Sequence, residues 1–301
     1  MPPLASCITL RRRHEYWHDS LLYLGAYWQA MQAGGAPTVW PQTLNPNPST
    51  GWLPANLPNG IPTNAQAQTM LNSLPTIANP PTPANDGYNS GAPFGTWPGP
   101  RNGWTTRNTV LVAQALTTEQ GAPADATVGS GNVVIGGTWQ QPYDTTAGFP
   151  TTPVQTECTA PNQACVSGLP ADHFVPTANA WITGADTWPD YSTAITVTQG
   201  GQTVNTTQGG QMLYDFSNDL SGPELLIVGN STNSSKGFNG PQNWMPPNKG
   251  MYCAYAKMWI AVKWQWDLAV VTAPVGTVIF PNQTTGLSEQ GALQYLLTNY
   301  C

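Results

Sequence analysis

The chain has 301 residues, a formal net charge of −6 and only 8% charged residues, against roughly 25% in typical soluble domains. Hydrophobic residues at 40% and aromatics at 10% exclude a disordered chain. The acidic sum excludes a globally basic nucleic-acid binder but not a local basic site, and no apolar run approaches the roughly 18 residues of a membrane span.

In chain order, Met1 to Leu10 lack a basic stretch ahead of an apolar one and do not read as a secretory leader. Residues 14–32 predict a helix with an aromatic and leucine stripe, ended by Gly34-Gly35. Within it, His14-Glu15-Tyr16-Trp17-His18 fits the spacing of a zinc-protease helix. Such a site needs a third ligand and a preceding sheet. Only thirteen residues come before it and His173 is the only other histidine, so an amphipathic surface or interface helix is the better reading. Residues 36–63 are rich in Pro, Asn and Gly and predict an extended linker; Ala65 to Leu74 predicts a short helix, then more Pro and Asn to about Asp86. This divides the chain into an aromatic helix over 1–35, an arm over 36–84 and a domain over 85–301.

Inside that domain, Thr109 to Ala115 and Asn132 to Thr138 are runs of β-formers and predict strands. Ile195 to Val204 predicts a hairpin through Gly200-Gly201, and Glu224 to Val228 a short buried strand. Cys253 to Leu268 predicts an apolar helix, and Ser288 the cap of a last helix to about Thr298. No βαβ unit or internal repeat occurs, so the fold class is α+β.

The five cysteines contain no C-x-x-C, which argues against a thiolate zinc site. Cys158 and Cys165 flank a short loop and are expected to pair. Cys253 is expected to pair with the terminal Cys301, a ring worth about 4 kcal/mol by loop entropy. Cys7 is left over. Disulfides, with sequons at Asn205, Asn230, Asn233 and Asn282, point to a secreted, extracellular protein.

The most chemically suggestive group is Asp172-His173-Phe174-Val175-Pro176, followed later by Asn233-Ser-Ser-Lys236-Gly237. A carboxylate and an amide oxygen are hard ligands that suit Mg²⁺, and an imidazole beside them can deprotonate water near neutral pH. A lone histidine is more often structural; the neighbouring Asp and the later Asn and Lys give it a chemical logic.

Over about residues 64–301 the sequence resembles the secreted microbial HNH-like (ββα-metal) endonucleases. In order, the resemblance runs through Gly87-Tyr88 with Phe94 and Trp97, and Thr106-Arg107-Asn108 with Val110-Leu111. Gly137-Thr138-Trp139 with Pro142-Tyr143 follows, then the Asp172-His173 signature, Asn179-Ala180-Trp181 and Gly184-Ala185. Pro223-Glu224-Leu225, Asn233 to Gly237, Trp244 with Pro246-Pro247, the Cys253 to Lys263 segment and Cys301 complete it. Departures are Pro170 where the family has Asp, Gly222 where it has Asn, and Trp104 where it has a cysteine, whose partner near Val133 is missing too.

The resemblance implies a ββα-metal (HNH-like) core with helical and loop-rich additions. It implies His173 as general base, Asp172 and Asn233 as ligands of a single divalent cation, expected to be Mg²⁺, and Lys236 and Arg107 as phosphate contacts. For Arg107 the alternative is a buried salt-bridge anchor. Trp244, Trp259, Trp264 and Trp266 read first as core and second as base-stacking surfaces. The expected activity is metal-dependent hydrolysis of phosphodiesters in DNA or RNA. The rival is a non-catalytic extracellular protein that self-assembles through its aromatic N-terminal segment, its low-charge surface allowing close packing. Nucleic acid is the expected partner in the first case and a further copy of the chain in the second.

Overall fold

The computed structural model describes residues 44–47, 51–54, 61–88, 105–114, 126–128, 134–139, 142–144, 154–157, 169–188, 194–199, 202–219 and 224–301. Helices and short sheets mix throughout, an α+β arrangement as expected. The aromatic helix expected over 14–32, and Cys7, Cys158 and Cys165, lie outside the described residues.

The core is built on a helix that is apolar almost all round. Tyr252–Gln265 buries Tyr255, Met258, Trp259, Ile260 and Val262, the pattern of a helix enclosed by protein rather than lying on its surface. Two other helices pack on it. Asn64–Ser73, here α1, contributes Ala67 and Leu71; Glu289–Tyr300 contributes Leu293, Leu296 and Leu297. Their starts are legible chemistry. Thr63 forms a capping box with Gln66, and the Ser288 hydroxyl accepts from the Gly291 amide at 3.0 Å. Beside them β3 (Thr76–Ile77) pairs in parallel with Val270–Val271. The segment from Asn64 onward, read from sequence as part of an arm, therefore belongs to the folded domain.

Three short sheets are also antiparallel hairpin structures. β1 (Leu44–Asn47) pairs with β2 (Gly51–Pro54) inside the stretch expected to be a linker. β4 (Ala126–Val128), β5 (Val134–Trp139) and β6 (Val154–Glu157) form a three-stranded sheet. β8 (Ala194–Gln199) and β9 (Gln202–Thr207) form the hairpin expected through Gly200-Gly201. One expectation is corrected: Thr106–Gln114 is a helix, α2, not a strand. Its β-branched residues misled, while the Thr105 hydroxyl caps it by accepting from the Asn108 amide at 3.1 Å, and Val110 and Leu111 bury one face.

The remaining elements are β7 (Ala171–His173), α3 (Thr177–Ile182), α4 (Gln208–Ser217), β10 (Leu225–Ile227) and α5 (Asn230–Lys236). The core helix Tyr252–Gln265 is α6, Val270–Val271 is β11 and the last helix is α7. Among the described residues no helix is long and apolar enough to cross a membrane.

Candidate functional site

β7 and β10 pair antiparallel, with His173 opposite Leu225 and Asp172 opposite Leu226. The ladder continues at both ends, Phe174 N–H donating to the Glu224 carbonyl at 2.6 Å and Val228 N–H to that of Pro170 at 3.2 Å. Val228 and Gly229 then lead into α5. The result is strand, strand, helix, with Asp172 and His173 on the first strand and Asn233 and Lys236 on the helix.

Strand geometry sends neighbouring side chains to opposite faces, and the two signature residues meet different surroundings. Asp172 Oδ2 accepts from Lys236 Nζ at 2.6 Å and from the Tyr143 hydroxyl at 2.9 Å. Lys236 also donates to the His173 carbonyl at 2.6 Å, and its ammonium sits 6.0 Å and 5.9 Å from the Tyr143 and Phe174 ring centres. Lys236 is 0% exposed. A buried ammonium is tolerable only where paired, so Lys236, expected at phosphate, serves here as a strut joining α5 to β7. Asp172, expected at a metal, supplies that strut's counter-charge.

His173 is half-buried on the other side. Its Nε2 lies 3.0 Å from the Ser217 carbonyl at the end of α4, and its ring is nearly parallel to that of Phe216, 6.4 Å away. Burial lowers the imidazole pKa; the Ser217 bond and the Asp172 charge oppose this, and Lys236 adds to it. The neutral ring is therefore favoured near pH 7. A carbonyl can only accept, so Nε2 carries the proton and Nδ1 is the basic nitrogen.

Asn233 lies one turn before Lys236 on α5 and is half-buried. Arg107, on α2, donates from Nη2 to the Leu169 carbonyl at 3.0 Å, tying that helix to the chain entering β7. Burial lowers its pKa. This contact is to a backbone carbonyl. Among the tryptophans, Trp259 and Trp266 are buried, while Trp244 and Trp264 are half-buried.

Two further residues shape the site. Tyr143 is fully buried, held by Asn248, whose amide N–H bonds the Tyr143 carbonyl at 3.1 Å and whose side chain bonds the Pro142 carbonyl at 2.9 Å. Glu224 is also fully buried. Its Oε2 accepts from Val175 N–H at 3.3 Å, its Oε1 has no partner, and burial raises its pKa well above the ordinary value, which favours the protonated form. Both stood in sequence motifs, Pro142-Tyr143 and Pro223-Glu224-Leu225, with no role attached. A tyrosine and a carboxylate inside otherwise apolar motifs were the available signal.

Among the described residues, no group of three or more His, Cys, Asp or Glu side chains is arranged to hold a metal ion. Asn233 does fit a cation that keeps most of its water shell, since it offers a hard amide oxygen. Asp172 fits less well: its Oδ2 is taken, and a divalent ion beside it would face the Lys236 ammonium.

No family model matches the chain, and no solved structure matches it. An uncharacterized secreted protein of Arthroderma benhamiae is 32% identical over 220 residues, covering 73% of this chain and 85% of that protein. The chain thus belongs to the same family as that fungal protein, and it is a secreted protein, in agreement with its Cys253–Cys301 disulfide.

Proposed function

We infer that the protein is an extracellular, divalent-cation-dependent endonuclease of the ββα-metal type. The observation that carries this reading is the state of His173: a half-buried, neutral imidazole whose Nε2–H is held by a backbone carbonyl, so that Nδ1 is its basic atom. The strand–strand–helix order of β7, β10 and α5 supports it by bringing Asn233 onto the helix that Lys236 fastens to β7.

In this reading Nδ1 of His173 takes a proton from water as the water oxygen attacks phosphorus. The bond from phosphorus to the 3′ oxygen breaks, and that oxygen is protonated from solvent. Asn233 would hold the cation, which when bound supplies positive charge against the phosphate. Lys236, Asp172 and Tyr143 keep β7 and α5 in register, and Arg107 steadies the approach to β7. None of those four needs to touch substrate.

The test is incubation of the purified protein with supercoiled plasmid and Mg²⁺, with and without excess EDTA. Nicking that EDTA abolishes is expected. Intact plasmid over a range of Mg²⁺ and Mn²⁺ concentrations would overturn the reading and favour a non-catalytic, self-assembling protein.

A further inference from the structure

Among the described residues three large hydrophobic side chains are exposed, Phe238, Val275 and Ile279, and Phe238, at 60%, is the aromatic one. It follows Gly237, whose φ of +51° closes α5. A β-carbon is disfavoured in that conformation, so the glycine lets the chain leave the helix sharply and carry Phe238 outward.

Phe238 is not isolated. Its ring meets Tyr88 edge-on, with centroids 6.1 Å apart and planes at 74°. Tyr88 lies 6.4 Å from Trp181, and its hydroxyl is 2.7 Å from that of Thr177. Thr177 and Trp181 are one turn apart on α3 and share a face. The three rings therefore form a row, exposed at Phe238 and half-buried at Tyr88 and Trp181. Both ends of the row are rooted in the candidate site. α3 begins four residues after His173, and Phe238 stands two residues after Lys236, which bonds the His173 carbonyl.

Charge indicates what such a row would bind. The chain carries nine basic residues against fifteen acidic ones, and Lys236 is buried and spent on Asp172. A net-acidic chain draws little on the broad attraction to phosphates that usually supplies nucleic-acid affinity, which favours contacts to the bases. Aromatic rings stack on bases of any identity, but only where those bases are not already stacked in a duplex. We propose that Phe238, Tyr88 and Trp181 form a stacking platform for the bases of single-stranded nucleic acid, beside the site at which His173 acts. The proposal rests on the endonuclease reading for its location but is tested by binding alone.

The experiment uses the full chain in EDTA, so that nothing is cleaved, and fluorescence anisotropy of three labelled probes: a 12-nucleotide oligothymidylate, an abasic deoxyribose-phosphate strand of equal length, and a 12-base-pair duplex. Stacking contributes about 1–3 kcal/mol per base, so oligothymidylate should bind roughly 5- to 150-fold more tightly than the abasic strand, and more tightly than the duplex. Phe238→Ala should remove most of that preference, whereas Phe238→Tyr should keep it; the exposed site makes either variant safe for folding. Equal affinity for base-bearing and abasic strands, a preference for duplex, binding of neither strand, or unchanged preference in Phe238→Ala would each overturn the platform. Plasmid nicking without base preference would sink the platform and spare the nuclease; base preference without nicking would do the reverse.

Discussion

Lys236 is fully buried, and its partners explain why that is possible. Asp172 offsets the charge, the His173 carbonyl accepts a hydrogen bond from the ammonium, and the Tyr143 hydroxyl also donates to Asp172 Oδ2. Removing one member of a buried pair strands the other and typically costs about 3–5 kcal/mol. Lys236→Met should cost that much in urea unfolding, and Lys236→Met with Asp172→Leu should recover most of it. A single variant as stable as wild type would show that the strut contributes nothing. Glu224 makes a second residue-scale prediction, about pH. Its folded pKa is raised well above 4.5, so the folded state holds a proton that the unfolded chain has lost. The stabilisation is whole below pH 4.5 and declines as pH climbs from there toward the raised folded value. Glu224→Gln removes this dependence while keeping an acceptor for Val175 N–H. The melting temperature of wild type relative to Glu224→Gln should therefore fall as pH rises above 4.5, and parallel curves for the two proteins would contradict the assignment. The motif residues were readable from sequence, but the roles of Asp172 and Lys236 were not. A signature of adjacent residues does not reveal that strand geometry sends them to opposite faces.

Elements with local signals were legible, and those shaped by distant packing were not. The helix at Asn64–Ser73 has its capping box, the last helix its Ser288 cap, and the β8–β9 hairpin its paired glycines. α2 was misread because Val110, Leu111 and Val112 favour strands locally while burial of Val110 and Leu111 against the rest of the domain rewards a helix. α4 opens on Gln208-Gly209-Gly210 and α5 is Asn-, Ser- and Thr-rich, so neither has strong intrinsic propensity and both depend on tertiary contacts. The end of α7 is secured covalently: Cys253 and Cys301 are joined across a separation of 48 residues. Lys263 and Glu289, 2.8 Å apart and both fully buried, join α6 to the start of α7. On loop entropy the disulfide is worth about 4 kcal/mol. Cys301→Ser should lower stability by about 2–4 kcal/mol without changing activity, as read by denaturant unfolding under non-reducing conditions. No loss would mean that the ion pair and apolar packing alone hold α7.

For the whole molecule, an acidic and charge-poor chain must recognise a polyanion, if it does, at a small site rather than through a broad field. Secretion was legible from cysteine usage and sequons, and the α+β class from the mixture of predicted helices and strands. What the sequence could not supply was how α4 meets β7, because the Ser217 carbonyl that fixes the His173 tautomer lies 44 residues away in the chain. That contact makes the central claim specific: one neutral imidazole acts as the base. The most direct measurement is the pH dependence of plasmid nicking at saturating Mg²⁺ for wild type and His173→Ala. Wild-type rate should rise with pH through a midpoint below 6.5, in keeping with the lowered imidazole pKa, and level off above it. His173→Ala should be slower by about 10²–10⁴ and lose that midpoint, with its melting temperature little changed. An active wild type whose rate and pH profile survive the loss of His173 would contradict the account.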